Sequence, residues 1–495
     1  MLVVESRADG SGGTDLRPGD FLEQTVPLAR DIFQRGSIRR STIERCVKIL
    51  TGYLEALREL GVSEDIPLRA VATNILIEAN NHDAFLNRIQ IGCGIHIEAL
   101  DDGEMTRLIY LKTRRRLRDT PSMNRRTTLV VHVGPGNTRA LLFKNGRISD
   151  YTNYRLGVYR TNEAIRSNED GDHQLNKSIR EHISSLVNQV HHNYADEGLE
   201  ELVILGYEIQ HLSHVLTQPG KTKSTARALA TLTKEVSTMS EEERVKKYQL
   251  DYNTAQAIIP ALEINLAIAK ALEVDVLRLP GSDYERELLL DLPASISLTE
   301  GFQAEVIYSA ESLAKKFKVH RSHSVQVARL SQQLFEQTLA LHQLNEHDAL
   351  LLNCAAILHE CGNFLSVRAH HKHSQYIIQN SELFGLGGRD ISIIALIARY
   401  HRKSGPKMNH TGYRTLPPED RMRVSKLAAI LRIADALDRS HSSRIGELST
   451  RIEKQKLIIC LISVSDISVE QHAMRSKSDL FHDIFGLRIT LENTI

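Results

Sequence analysis

Apolar positions along the first half of the chain come in short runs alternating with stretches of helical period. Ile43, Val47, Leu50, Leu54, Leu57 and Leu60 recur three and four apart, which predicts an amphipathic helix over 41–60, entered through Ser41-Thr42 and stopped by Gly61. Residues 2–5 read as the end of a strand, and 9–19 as a loop rich in glycine and aspartate. Strands are predicted at 67–72 and 94–100 and helices at 79–89 and 104–112, the alternation of an α/β domain. Residues 129–148, LVVHVGPGNTRALLFKNGRI, predict a strand, a tight loop, a second strand and an Asn145-Gly146 turn. Helices at 179–194, 224–245 and 255–272 and strands at 202–205 and 274–279 make a second α/β unit. Past about residue 299 the period becomes helical at 304–317, 322–341, 349–358, 374–383, 390–400 and 420–437. Strand signals return only at 456–464 and 487–491, so a separate all-helical domain with a short β-rich tail is expected.

Composition narrows the classes. The 495 residues suffice for roughly three domains, and 41% hydrophobic content supports a core. With 62 basic against 61 acidic side chains the formal charge is +1, so no global basic field points to nucleic acid and any anion binding is local. The five cysteines are scattered without a CxxC pair, which fits free thiols in a reducing compartment. No apolar run is long enough for a membrane span and the start lacks a signal-peptide pattern, so a cytoplasmic protein is expected.

Three stretches carry candidate chemistry. Gly134 and Gly136 permit backbone N–H groups to crowd round an anion, which makes the central loop either a phosphate cradle or an ordinary hairpin. The connector 113–126, TRRRLRDTPSMNRR, with Arg114, Arg115, Arg116, Arg118, Arg125 and Arg126, reads as a solvated loop or as an electropositive lip over a polyanion. The helical domain concentrates His320, His323, His359, His370, His371, His373, His401 and His441 with Glu360, Asp435 and Asp438. Imidazole and carboxylate on neighbouring helices suit a hard or borderline divalent metal, whose bound water is a hydrolytic nucleophile beside phosphate. The order His323, then His359-Glu360, then Asp435 resembles an HD-type metal site, with glutamate where that site has aspartate. The 370–374 run is a polar helix start or a ligand source, and His401 and Asp438 read as packing or supporting residues.

The phrases AVATNILIEANN (70–81), DDGEMTRLIYL (101–111), LVVHVGPGNT (129–138), HHKHSQYII (370–378), IARYHRKSGPK (397–407) and LAAILRIADALDRSH (427–441) resemble, in this order, the exopolyphosphatase/guanosine pentaphosphate phosphatase family, Ppx/GppA. The resemblance implies an actin-like ATPase fold with two ribonuclease-H-like lobes, at 1–128 (truncated at its start) and 129–298, and an HD-like helical domain at 299–495. It implies release of terminal phosphate from inorganic polyphosphate or pppGpp with Mg²⁺ (or Mn²⁺), and a homodimer. Residue by residue it makes Glu104 the catalytic base and places Gly134, Gly136, Asn137, Thr138 and Gly206 around phosphate. His323, His359, Glu360 and Asp435 are the implied metal ligands.

The departures are specific. The family's acidic doublet before Ala-Arg stands here as Glu104-Met105-Thr106-Arg107, and its metal-binding aspartate as His132. Pro135 removes one loop N–H. The first phosphate loop has no counterpart, the later Gly-Gly pair is Gly206-Tyr207, and the closing motif is Glu285-Arg286-Glu287 without glycine. Three readings follow: a phosphatase of reduced activity with Glu104 as base, a non-catalytic polyphosphate or nucleotide sensor, and a metal-dependent hydrolase using the HD-like domain alone.

Overall fold

The computed structural model describes residues 1–8, 14–61, 68–117, 126–166, 175–281, 300–402, 404–462 and 466–494. The chain divides into two units, Met1–Ser297 and Leu298–Ile495.

The first unit opens with an antiparallel hairpin, β1 (Leu2–Ala8) and β2 (Thr14–Phe21), where a loop was expected over 9–19. Helices α1 (Leu28–Arg35) and α2 (Arg40–Glu59) follow, the second within one residue of its predicted span. The parallel pair β3 (Ala70–Ala72) and β4 (Ile97–Ala99) flanks α3 (His82–Cys93), and α4 (Asp102–Leu117) comes next. Ile32, Ile43, Phe85 and Ile89 form this region's own small core. The front of the unit thus has two separate two-stranded sheets. Helix α4 runs on to Leu117, so the start of the basic connector is helical rather than loop. Arg118 and Arg125 and the 285–287 motif lie outside the described residues, as do the side chains of Arg115 and Arg116.

The centre of the unit is a six-stranded sheet, of order β7-β6-β5-β8-β10-β9. Its strands are β5 (Thr128–Val133), β6 (Thr138–Lys144), β7 (Arg147–Tyr154), β8 (Glu201–Leu205), β9 (Lys223–Thr225) and β10 (Val276–Arg278). Every residue of β5 and β8 is buried, as continuous apolar runs in a sheet covered on both faces require. Asn145 and Gly146 take positive φ in the β6–β7 turn, as the Asn-Gly signal requires. On one face Leu129, Val131 and Val133 pack with α5 (Val158–Arg166), α6 (Leu175–Tyr194), α7 (Ala226–Ser237) and α9 (Tyr252–Ala271). The other face carries α4, through the Tyr110–Phe143 ring stack at 6.1 Å. The helix expected over 224–245 is two helices, because Ser240 starts α8 (Glu241–Tyr248) with a reciprocal cap to Glu243.

The second unit packs α10 (Glu300–Lys316), α11 (Arg321–Gln337), α12 (Glu346–Leu358), α13 (His370–Gln379), α14 (Gly388–Arg399) and α15 (Pro418–Leu437). Its tail is a three-stranded sheet of β11 (Leu448–Glu453), β12 (Lys456–Ile462) and β13 (Arg488–Thr494), with β12 and β13 parallel. The helices α16 (Ser468–Lys477) and α17 (Asp479–Phe485) make the crossover between them, and neither was evident from spacing.

One end of this bundle is tied by charge. Arg389 holds Asp420 at 2.7 Å, Arg423 holds Asp348 at 2.7 Å, and His347 Nε2 meets Asp390 at 2.9 Å. Burial pulls the His347 imidazole down, but the Asp390 carboxylate outweighs it and holds the group above its ordinary value. A raised folded value means the pair stabilises most below about pH 6.5 and loses that contribution as pH climbs through the folded value. Thermal melts of the wild type and Asp390→Asn should therefore differ at pH 6 and converge at alkaline pH.

Candidate functional site

Parallel pairing of β5 with β8 sets His132 beside Leu205, so the 134–137 loop and Gly206 emerge together at the carboxyl ends of the strands. That edge is where open α/β sheets take ligands. The loop, however, is closed on itself. Gly134 N–H donates to the Asn137 carbonyl at 2.9 Å, and the Thr138 hydroxyl donates to the Leu156 carbonyl at 2.7 Å. The first N–H groups of α5 are spent on loop carbonyls: Val158 on Gly134 at 3.0 Å and Tyr159 on Pro135 at 2.9 Å. Arg160 adds Nε to the Gly136 carbonyl at 3.1 Å and grips Glu78 with its other end at 2.7 Å. Gly157 makes this packing possible, since a Cβ there would stand 2.4 Å from the Gly134 oxygen. A Cβ at Gly206 would likewise stand 2.5 Å from the Val133 carbonyl oxygen, at a φ of 146° that side chains rarely adopt.

The acidic groups beside the loop are claimed by arginine. Glu104 Oε1 accepts from Arg69 at 2.8 Å, and Asp102 Oδ1 accepts from Arg139 at 2.5 Å and from Asn74 at 2.8 Å. Met105 occupies the doublet's second position because that position is core: it is buried with Leu100, Leu108 and Val71. His132 pairs directly with Arg139 across β5 and β6. Burial, then the Arg139 charge, pushes the His132 imidazole down to about 3, so it is neutral. A neutral ring facing a guanidinium, with the nearby carboxylates already paired, does not suit a divalent cation.

The helical unit presents the opposite case. His359, at the C-terminal end of α12, fixes Nδ1 on the Ala356 carbonyl at 2.7 Å and leaves Nε2 buried with no partner. His323 on α11 holds Asp438 through Nδ1 at 2.8 Å and turns Nε2 toward Asp435 at 3.5 Å. Donor atoms of His323, His359 and Asp435 lie within 4.8 Å of one another, and so do those of His323, Glu360 and His441. Of the predicted set, His323, His359 and Asp435 form one triplet, while Glu360 falls in a second with His323 and His441, a residue outside that set. Adjacent residues leaving a helix end point to different sides, which separates Glu360 from His359. The His441 ring stacks on His323 at 3.7 Å.

Charges at the cluster are strongly coupled. Burial works against ionised Asp435, yet the Lys477 ammonium and His323 hold its carboxyl well below the usual range. Lys477 Nζ bonds Asp435 directly. Burial likewise opposes a charged His323, but Asp435 and Asp438 raise it to about 9. Burial lowers His359, and the His401 imidazole well below its ordinary value. Neutral His359, with its buried Nε2 orphaned beside Asp435 and His323, fits a divalent metal, which on binding would displace the second proton of His323 and the Lys477 contact.

The structure brings Gly134, Gly136, Asn137, Thr138 and Gly206, expected around phosphate, to one sheet edge, and of the expected ligands it groups His323, His359 and Asp435 while Glu360 falls with His323 and His441. Sequence reasoning missed Arg69, Arg139 and Lys477, none of which stands in a motif. Asp438 is the partner of His323, and the rings of His401 and His370 meet through Nε2 at 3.1 Å.

The chain belongs to the Ppx/GppA phosphatase family: residues 18–292 match that family's description, and 307–480 match "Ppx/GppA phosphatase, domain III". A guanosine-5'-triphosphate,3'-diphosphate pyrophosphatase of Vibrio atlanticus (strain LGP32) is 25% identical over 406 residues, covering 81% of this chain and 78% of that relative. The protein of that name from Vibrio vulnificus (strain YJ016) is 23% identical over 467 residues, 93% of this chain and 89% of the relative. Among solved structures, the Aquifex aeolicus family member shares 18% identity over 60% of this chain and 94% of that one, with a TM-score of 0.45. An exopolyphosphatase from Cytophaga hutchinsonii shares 13% over 59% and 94%, with a TM-score of 0.47.

Since the loop is packed without slack against α5, Gly157→Ala should destabilise the first unit by about 1–3 kcal/mol, the usual cost of overpacking. Urea unfolding followed by circular dichroism measures it.

Proposed function

We propose that this protein hydrolyses phosphoanhydride bonds of pppGpp or inorganic polyphosphate, and that its reaction centre is the buried cluster of the helical unit. Family membership and the relatives' names support the substrate class. The observation that carries the location is the orphaned Nε2 of His359, buried beside Asp435 and His323. The helical unit is read as HD-like, and the first unit as an actin-like pair of lobes, at 1–128 and 129–298.

His323, His359 and Asp435 would hold a divalent cation, which when bound would supply charge for phosphoryl oxygens and an acidified water. The chain's own groups do the rest. The Ala356 carbonyl keeps the proton of His359 on Nδ1, and Asp438 does the same for His323, so both rings are aimed. Glu360, partly buried and within ligand distance of His323 and His441, is the carboxylate to which this reading assigns the proton of the attacking water. Water adds to the terminal phosphorus as the bridging P–O bond breaks, releasing orthophosphate and an anhydride one phosphate shorter. A second reading puts hydrolysis at the sheet edge with Glu104 as base, and is favoured by the family match over 18–292.

Phosphate release from pppGpp and from polyphosphate separates the two. His359→Ala should lose activity by at least roughly 10–100-fold, the loss already seen when a partner supporting a metal ligand is removed, while Glu104→Gln stays near wild type. Loss only in Glu104→Gln would move the reaction to the first unit. No turnover in any of the three proteins, with ligand still raising the melting temperature, would make the protein a sensor.

A further inference from the structure

Residue 477 is held twice by α15. Arg432, fully buried, donates Nε to the Lys477 carbonyl at 3.0 Å and bonds the Asp479 carboxylate through Nη2, which clamps the junction between α16 and α17. Three positions on, Asp435 takes the Lys477 ammonium directly. Residues three apart share a helix face, so one face of α15 fixes both the backbone of residue 477 and the end of its side chain. Near the start of α16, buried Glu470 bonds Arg444 at 2.5 Å. A four-carbon stem therefore leaves a fixed base and ends in the cluster, with the side chain only 12% exposed.

The two oxygens of Asp435 have different neighbours. Oδ1 lies 3.5 Å from His323 Nε2, and Oδ2 carries the ammonium. A divalent ion among His323, His359 and Asp435 repels an ammonium on the same carboxylate. The ion has two imidazoles besides the carboxylate to hold it, so the lysine yields. The neighbouring carboxylates have partners of their own. Asp438 accepts from Ser443 N–H and pairs with His323 Nδ1, each at 2.8 Å, while Asp479 is bonded to Arg432 and Glu470 to Arg444. An ammonium left half-buried without an anion is costly, and its base on α16 keeps it within one stem's length of the cluster.

We propose that Lys477 is a phosphate-binding residue of the helical-unit site, whose ammonium passes from Asp435 to a phosphoryl oxygen when a divalent ion takes that carboxylate. A compact charge with three donors on a flexible stem suits such an exchange. Placed on a phosphoryl oxygen, it offsets charge where phosphoryl transfer needs it. Cation and phosphate then favour each other's binding, and the coupling is reciprocal. The inference rests on the helical-unit reading of the reaction centre, but its test is one of binding and needs no turnover.

The full-length protein is stripped with chelator, and its affinity for Mn²⁺ is measured at pH 8 from the paramagnetic resonance of the free ion, with and without inorganic phosphate. Phosphate should tighten Mn²⁺ binding to the wild type by about 5–150-fold, the usual size of coupling between two sites. Without phosphate, Lys477→Met and Lys477→Gln should bind Mn²⁺ roughly tenfold tighter than the wild type, because the competing charge is gone. Both should lose most of the phosphate effect, and Lys477→Arg should keep it. The glutamine retains a neutral donor for Asp435, so it decides even where the methionine variant fails to fold. Mn²⁺ binding unchanged or weakened in the Met and Gln variants, or a phosphate effect as large as in the wild type, would mean a merely structural lysine and overturn the proposal. A wild type that binds no Mn²⁺ would overturn it together with the reading of the site. Phosphate-coupled Mn²⁺ binding by a protein that releases no phosphate from pppGpp or polyphosphate would instead sink the proposed function and leave the role of Lys477 standing.

Discussion

A neutral imidazole has two nitrogens and one proton, and the helical unit is arranged around that shortage. His359, His370 and His401 each spend the proton on a carbonyl three residues back in the chain, which aims the bare nitrogen inward. Each acceptor left unsatisfied in a buried site costs about 1–3 kcal/mol. Helix ends, the Gly362 turn packed on α13 and the Ser374 bonds that tie it down all serve to hold this otherwise unfavourable convergence. At the proposed metal site, a bound cation would convert that cost into affinity. Lys477 on Asp435 neutralises part of the same cluster from α16.

The first unit has resolved its polar groups in the opposite way. Its glycine loop donates to itself, α5 donates to the loop, and arginines hold Glu78, Glu104 and Asp102. Every such bond stabilises the free protein and leaves less for an incoming phosphate. The paired strand positions His132 and Arg139 put a neutral ring against a fixed cation, a combination that favours anions and disfavours metal. The two units of one chain therefore differ: arginines hold the carboxylates in one, while the other keeps buried imidazole nitrogens without a partner beside an Asp435 already held by Lys477.

Much of the scaffold was legible because it is periodic. The 41–60 stripe and the apolar runs of β5 and β8 gave spans close to those observed, and the texture change near 299 falls beside the division between units at 297–298. The break between α7 and α8 was not, since a cap at Ser240 interrupts a pattern whose helical period continues through it. Glycines and histidines announced the two candidate sites by type. What disarms or arms them lies between residues far apart in sequence: Arg69 with Glu104, 35 positions on, and His370 with His401, 31 positions on. Neither pairing follows a helical or strand spacing, so no local pattern encodes it.

Where metal resides is the claim on which the rest turns, and anomalous diffraction at the manganese edge from Mn²⁺-soaked crystals locates it directly. Density among His323, His359 and Asp435, with none beside His132, is the predicted result. Density at the 134–137 loop and none in the helical unit would contradict it.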